Sequence, residues 1–100
     1  MVKHIVIWKL RDSAAGNDKA ANAQLVKEKL EALNGKIPGL LRVEVGVDFL
    51  RTDSSGDVVL YSELESKEAL AAYQEHPLHK AVGTFIREVV SARTSADYVC

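Results

Sequence analysis

The densest set of groups able to move a proton lies in one short run, Tyr73-Gln-Glu-His76-Pro77-Leu78-His79. It gathers a phenol and two imidazoles around a proline. The third histidine, His4, sits near the N-terminus beside Val6 and Trp8. A neutral imidazole with a pKa of about 6.5 can act as a general base at physiological pH. A tyrosine hydroxyl can donate a hydrogen bond to a developing oxyanion without carrying charge itself. Together they suit enolisation, aldol-type ring closure or isomerisation of a small carbonyl compound. His79 and Tyr73 are the candidate catalytic pair; His4, Val6, Trp8 and His76 are the candidates to line a ligand site. Each residue also has a plainer use. A tyrosine or histidine at a helix end serves as a cap or as a packed amphipathic ring. Proline at a helix start is punctuation, and a strand histidine can simply be satisfied by a neighbour. His4, His76 and His79 could also supply three imidazoles to an open zinc site, but no HExxH pattern accompanies them, and we expect no metal and no cofactor.

Few other residues offer chemistry. Trp8, the only tryptophan, also suits core packing or a subunit contact. Cys100 is solitary and terminal, so neither an intrachain disulfide nor a thiolate metal site can form, and a reducing compartment fits. The acidic residues are dispersed, with no carboxylate pair of the glycosidase kind. Asp53-Ser-Ser-Gly56 reads as a turn, not a phosphate loop, and no Gly-x-Ser-x-Gly elbow is present.

The elements that must position these groups can be read from spacing. Val2 to Leu10 predicts a strand with Val2, His4, Val6, Trp8 and Leu10 on one face and Lys3, Ile5, Ile7 and Lys9 on the other. Its middle is apolar on both sides, so something should cover each face. Asp18 to Leu33 predicts a helix, with Asn17 as N-cap and Gly35 and Pro38 as stop signals. Leu41 to Leu50 predicts a strand with Leu41, Val43, Val45, Val47 and Phe49 on one face. The cluster from Thr52 to Asp57 predicts a turn, and Val58 to Leu64 a strand hairpinned to the preceding one. Ser66 should cap a short helix through Tyr73 and Glu75. Pro77 ends it and begins a second, with Leu78, Ala81, Val82, Phe85, Ile86 and Val89 on one stripe. A break over Ser91 to Ser95 and a short terminal strand from Ala96 to Cys100 complete the order.

That order is βαββαβ, which an α+β ferredoxin-like plait satisfies: a four-stranded antiparallel sheet with both helical regions on one face. Helices on one face leave the other bare. The two-sided first strand then predicts a homodimer formed sheet face to sheet face.

Composition bounds the class. The chain has 100 residues, a hydrophobic fraction of 47% and a formal net charge of -1, which suits one domain over residues 1–100 with a real core. The charge balance gives no footprint for nucleic acid and no polybasic membrane patch. No apolar run has the length of a signal core or membrane span, so the expectation is a cytoplasmic protein.

The sequence resembles the stress-response A/B barrel (Dabb) family over essentially its whole length. The resemblance rests on Val2-Lys-His-Ile-Val6, the run from Gly35 to Leu40, Val45-Gly-Val-Asp48 and Asp97-Tyr98. It rests most on Ser66-Lys-Glu-Ala69 leading into Tyr73-x-x-His76-Pro77-x-His79. It implies ferredoxin-like plaits that dimerise through their sheets into an α/β barrel. Most members have no established reaction. One plant branch cyclises polyketides by an intramolecular aldol condensation without metal or organic cofactor. By that likeness the base would be His79, the assisting hydroxyl Tyr73 and the strand histidine of the pocket His4. That branch carries a further histidine at the start of the third strand, where this sequence has Val58, so substrate identity does not carry over. The alternatives are a non-catalytic structural dimer and, by likeness of fold only, a haem-binding or monooxygenase-type protein.

Overall fold

The computed structural model describes residues 1–100. The chain forms β1 (Val2–Leu10), β2 (Ser13–Ala14), β3 (Asn17–Asp18), α1 (Lys19–Glu31), β4 (Leu40–Val47), β5 (Val58–Leu64), α2 (Lys67–Glu75), α3 (Pro77–Val89) and β6 (Val90–Val99). Four strands build one antiparallel sheet in the order β4-β5-β1-β6, and β2 and β3 form a separate two-stranded ladder. The expected α+β ferredoxin-like plait is therefore present, with the second helical region in two parts.

The core lies between the helices and one face of the sheet. In β1, Val2, His4, Val6, Trp8 and Leu10 are buried, and from β5 so are Val58, Leu60, Ser62 and Leu64. Ala23, Val26 and Leu30 of α1, Tyr73 of α2 and Val89 of α3 close over them. The opposite face stays open. Ile7 is 42% exposed and Val59 37%, and cross-strand pairing sets Ile5 beside Tyr61 and Ile7 beside Val59. The two-sided apolar character of β1 thus has its physical cause: one side meets the helices, the other a bare apolar sheet surface.

Three local readings are corrected. The N-cap of α1 is Asp18, whose side chain accepts the Ala21 N–H; Asn17 instead belongs to the small ladder. In β4 a register shift between Leu40 and Arg42 breaks the simple alternation. Leu40 and Val43 are buried while Leu41 is 52% exposed, so Leu41 does not share the face of Val43. The terminal strand is ten residues long, not a short piece after Ser95. Pairing with β1 carries it from Val90 to Val99, with one register shift that leaves Ser91 unpaired between Val90 and Ala92.

Two glycines set the path into the site. Gly35 (φ 76°) turns the chain after α1. Gly39 (φ 85°) lies so close to α2 that a Cβ there would sit 2.7 Å from the Ala69 Cβ, and only glycine meets both demands.

Side chains from α1 and the turn after it satisfy the outer edge of β4. The Asn34 side chain donates to the Val43 carbonyl at 2.8 Å and accepts the Val43 N–H at 2.9 Å. Glu31 accepts the Val45 N–H at 3.0 Å, and Lys27 donates to the Val45 carbonyl at 2.7 Å. Lys27 and Glu31 also pair with each other at 2.8 Å. The Lys27 ammonium and the Val45 amide together hold the Glu31 carboxyl below its usual pKa.

Candidate functional site

The site is built by a broken helix laid over the first strand. Ser66 caps α2 by accepting the Ala69 N–H, and Glu68 sits in the first turn, where the helix dipole favours an acid. Pro77 cannot continue α2, and it drives His76 into extended geometry (φ -65°, ψ 136°). The chain turns there and restarts, because proline is well suited to the first position of α3. His76 serves both ends: its backbone N–H donates to the Tyr73 carbonyl, and its Nδ1 accepts the Leu78 N–H at 3.1 Å. The sequence suggested His76 as a ligand contact; the structure places it as the cap of α3.

The bend brings the remaining rings together. Tyr73 and His79 stand 4.4 Å apart between ring centroids, tilted at 55°. His4 approaches Tyr73 edge-on at 6.5 Å. Tyr73 is fully buried and His4 is 4% exposed, whereas His79 is half-buried. Val6 and Trp8 follow His4 along the same face of β1 as members of the hydrophobic core.

The polar atoms of this cluster are unequally provided for. His4 Nδ1 is hydrogen-bonded to the Asp97 carboxylate on β6, its register partner. A carboxylate only accepts, so Nδ1 carries the hydrogen, and in the neutral ring Nε2 holds the lone pair. The backbone beneath is tied as well, since the buried Ser62 hydroxyl donates to the His4 carbonyl at 2.8 Å. The Tyr73 hydroxyl and His79 Nδ1, in contrast, are buried and have no hydrogen-bond partner of good geometry within the chain, although the Gln74 backbone lies beside the His79 ring. Such groups are uncommon in folded proteins, because a buried polar atom without a partner costs about 1–3 kcal/mol.

Burial tunes both groups. It pushes the Tyr73 hydroxyl up to about 12, so the phenol stays protonated and able to donate. It also lowers His79 below the usual imidazole range, with nearby His4 adding to the effect and the Gln74 backbone opposing it. Near neutral pH the cluster therefore offers an uncharged imidazole beside an uncharged hydroxyl. No three His, Cys, Asp or Glu side chains converge in a way that could hold a metal ion.

Asp97 is the site residue that sequence reasoning missed. It was visible only as half of the closing Asp97-Tyr98 pair, with nothing to connect it to a histidine 93 positions earlier. Two cavities of about 410 and 420 Å3 lie away from the rings. One is flanked by α1 and the β4–β5 loop, and the other opens on the bare sheet face beside Ile7 and Val59.

Comparison with known proteins agrees with this architecture. A crystal structure of a dimeric protein of unknown function and ferredoxin-like fold from Bacteroides fragilis is 35% identical, with a TM-score of 0.84 over 97% of this chain and 93% of that one. A dimeric ferredoxin-like protein of unknown function from Thermobifida fusca superposes with a TM-score of 0.85 at 22% identity, over 99% and 90% of the two chains, and shows the fold alone. An uncharacterised protein of Streptomyces coelicolor is 30% identical over 98% of both chains. The family model for the stress responsive A/B barrel domain matches residues 2–100, the whole span that builds the sheet, the broken helix and the ring cluster, and the chain belongs to that family.

Proposed function

We propose that the chain binds a small carbonyl-bearing organic molecule against Tyr73 and His79 and promotes its enolisation by cofactor-free general acid–base chemistry. One observation carries this reading. The Tyr73 hydroxyl and His79 Nδ1 are both buried without partners in the chain, on rings whose centroids lie 4.4 Å apart, and a carbonyl compound would supply a partner to each. Its oxygen accepts from the Tyr73 hydroxyl. Its α-carbon gives a proton to His79 Nδ1, and the electron pair moves to the oxygen as the enolate forms. The enolate is then free to attack a second carbonyl, close a ring or be reprotonated elsewhere. His4, held by Asp97, forms the wall of the site and fixes the Tyr73 ring from its edge.

The working unit in this reading is a homodimer joined through the bare sheet face, as the dimeric relatives and the exposed Ile7 and Val59 support. The test is hydrogen exchange at the α-carbon of cyclohexanone in heavy water, followed by proton NMR. The wild-type chain should accelerate exchange over buffer. Tyr73→Phe and His79→Ala should each lower that acceleration by roughly a hundredfold or more, the usual scale for an oxyanion donor or a general base. Equal rates in wild type and both variants would overturn the proposal.

A further inference from the structure

Between the N-terminal half of α1 and the β4–β5 loop lies a cavity of about 410 Å3, remote from Tyr73 and His79. Its lining includes three small or apolar residues, Ala20, Ala23 and Val47, among mostly polar and charged ones. From this cavity we infer a second binding site, for a small monocarboxylate with an apolar body, with Arg51 as the carboxylate anchor.

The rim charges divide by what they already hold. The Asp57 carboxylate accepts the Leu10 N–H at 2.8 Å and faces Lys19 at 3.6 Å. Lys19 is shared with Asp12, also at 3.6 Å. Asp48 accepts the Arg51 N–H at 2.8 Å. The Arg51 guanidinium has no carboxylate partner anywhere in the chain, which leaves it as the uncommitted charge of the rim. Its five donors suit a bidentate carboxylate.

The backbone at Arg51 points the same way. Its φ is 56°, in the left-handed region, where a residue other than glycine or asparagine costs about 1 kcal/mol or more. The Asp48 side chain holds it there through the Arg51 amide. A turn built only for connection would be served better by glycine. Size and charge then select the ligand. The volume is at the small end of ligand pockets, and three apolar residues suit a short hydrocarbon body. Asp48 and Asp57 on the same rim oppose a dianion, so a phosphate fits less well than a monocarboxylate. The formal net charge of -1 gives the chain no general attraction for anions, so any binding has to be local.

The experiment is titration of the full chain with butyrate, butyramide and inorganic phosphate, read by amide chemical shifts in two-dimensional NMR. Butyrate should give saturable shifts at the N-terminal half of α1 and the β4–β5 loop. Arg51→Gln should weaken butyrate at least tenfold. Ala20→Leu, at an exposed helical position that lines the cavity, should weaken it by adding bulk to the lining without changing a charge. Arg87→Gln, remote on α3, controls for charge alone and should leave binding unchanged. Butyramide binding as tightly as butyrate, phosphate binding more tightly, or undiminished butyrate binding in Arg51→Gln would each overturn the proposal. The exchange activity of the Tyr73–His79 site is read separately, so either proposal can fail without the other.

Discussion

Replacing Tyr73 with phenylalanine removes one oxygen and keeps the ring. In most proteins that change at a fully buried tyrosine is destabilising, because the hydroxyl has a partner that is left unpaired. Here the hydroxyl has none within the chain. Desolvating it without a hydrogen bond costs about 1–3 kcal/mol, and the phenylalanine ring keeps the packing against His4 and His79. Tyr73→Phe should therefore be between neutral and about 2 kcal/mol more stable than wild type. For a domain of this size 1 kcal/mol shifts the melting temperature by about 4–8 °C, so the effect is measurable. Urea unfolding at fixed chain concentration is the proper assay, since association would otherwise move the midpoint. The variant should also lose a pH limb. With the folded pKa raised from 10.0 to about 12, wild-type stability from this group is full below pH 10 and declines as the pH rises towards 12. Phenylalanine has no such decline. A loss of more than about 1 kcal/mol with an unchanged m-value would refute the reasoning, because it would mean the hydroxyl is already engaged.

Four further outcomes follow from the structure. His79 has a lowered folded pKa, so its contribution to stability is present above about pH 6.5 and is lost as the pH falls through the folded value; His79→Gln should flatten that acid limb in melts across pH 4–8. Asp97→Ala leaves the buried His4 Nδ1 without its acceptor and should cost about 1–3 kcal/mol by urea unfolding; a change within experimental error would show that the pair holds nothing. Light scattering should give about twice the 11.0 kDa chain mass for wild type, and Ile7→Asp should give the single chain with native circular dichroism. Gly39→Ala meets both a positive φ and the Ala69 side chain, and a loss below about 1 kcal/mol would contradict the close approach of α2.

How much could be read in advance depended on whether a residue's role was local. Pro77 announces the α2–α3 break by its own geometry, and the apolar residues on both sides of β1 announce a sheet that is apolar on its second face as well. The hairpin of β4 and β5 and the turn from Thr52 to Asp57 carry ordinary composition signals. The bulge after Leu40 does not, because one extra residue leaves the pattern apolar while sending Leu41 outward. The length of β6 was hidden for a similar reason. Beyond Val90 every residue of it is exposed, so no alternation marks a strand that exists through its pairing with β1. Within the candidate site, Tyr73 and His79 were legible because one run of seven residues holds them both. Asp97 was not, since only the folded sheet puts it beside His4. The missing partners of the Tyr73 hydroxyl and His79 Nδ1, on which the proposed chemistry depends, are a property of packing that no spacing encodes.

The side chains of Lys27, Glu31 and Asn34 along β4 have a consequence for how copies of this chain can add to one another. A sheet with two free borders can extend without limit, each new chain offering the next one a template, which is the geometry of fibres. Here the Val43 and Val45 backbone groups are already occupied, so strand-by-strand growth has only the β6 border to use. Two chains meeting there would each present a closed border outward, and the chain of additions would end at a pair. The molecule thus sets a ceiling on its own edge-to-edge association. Removing that ceiling, for example with Asn34→Ala and Glu31→Ala together, should turn a terminating contact into a propagating one.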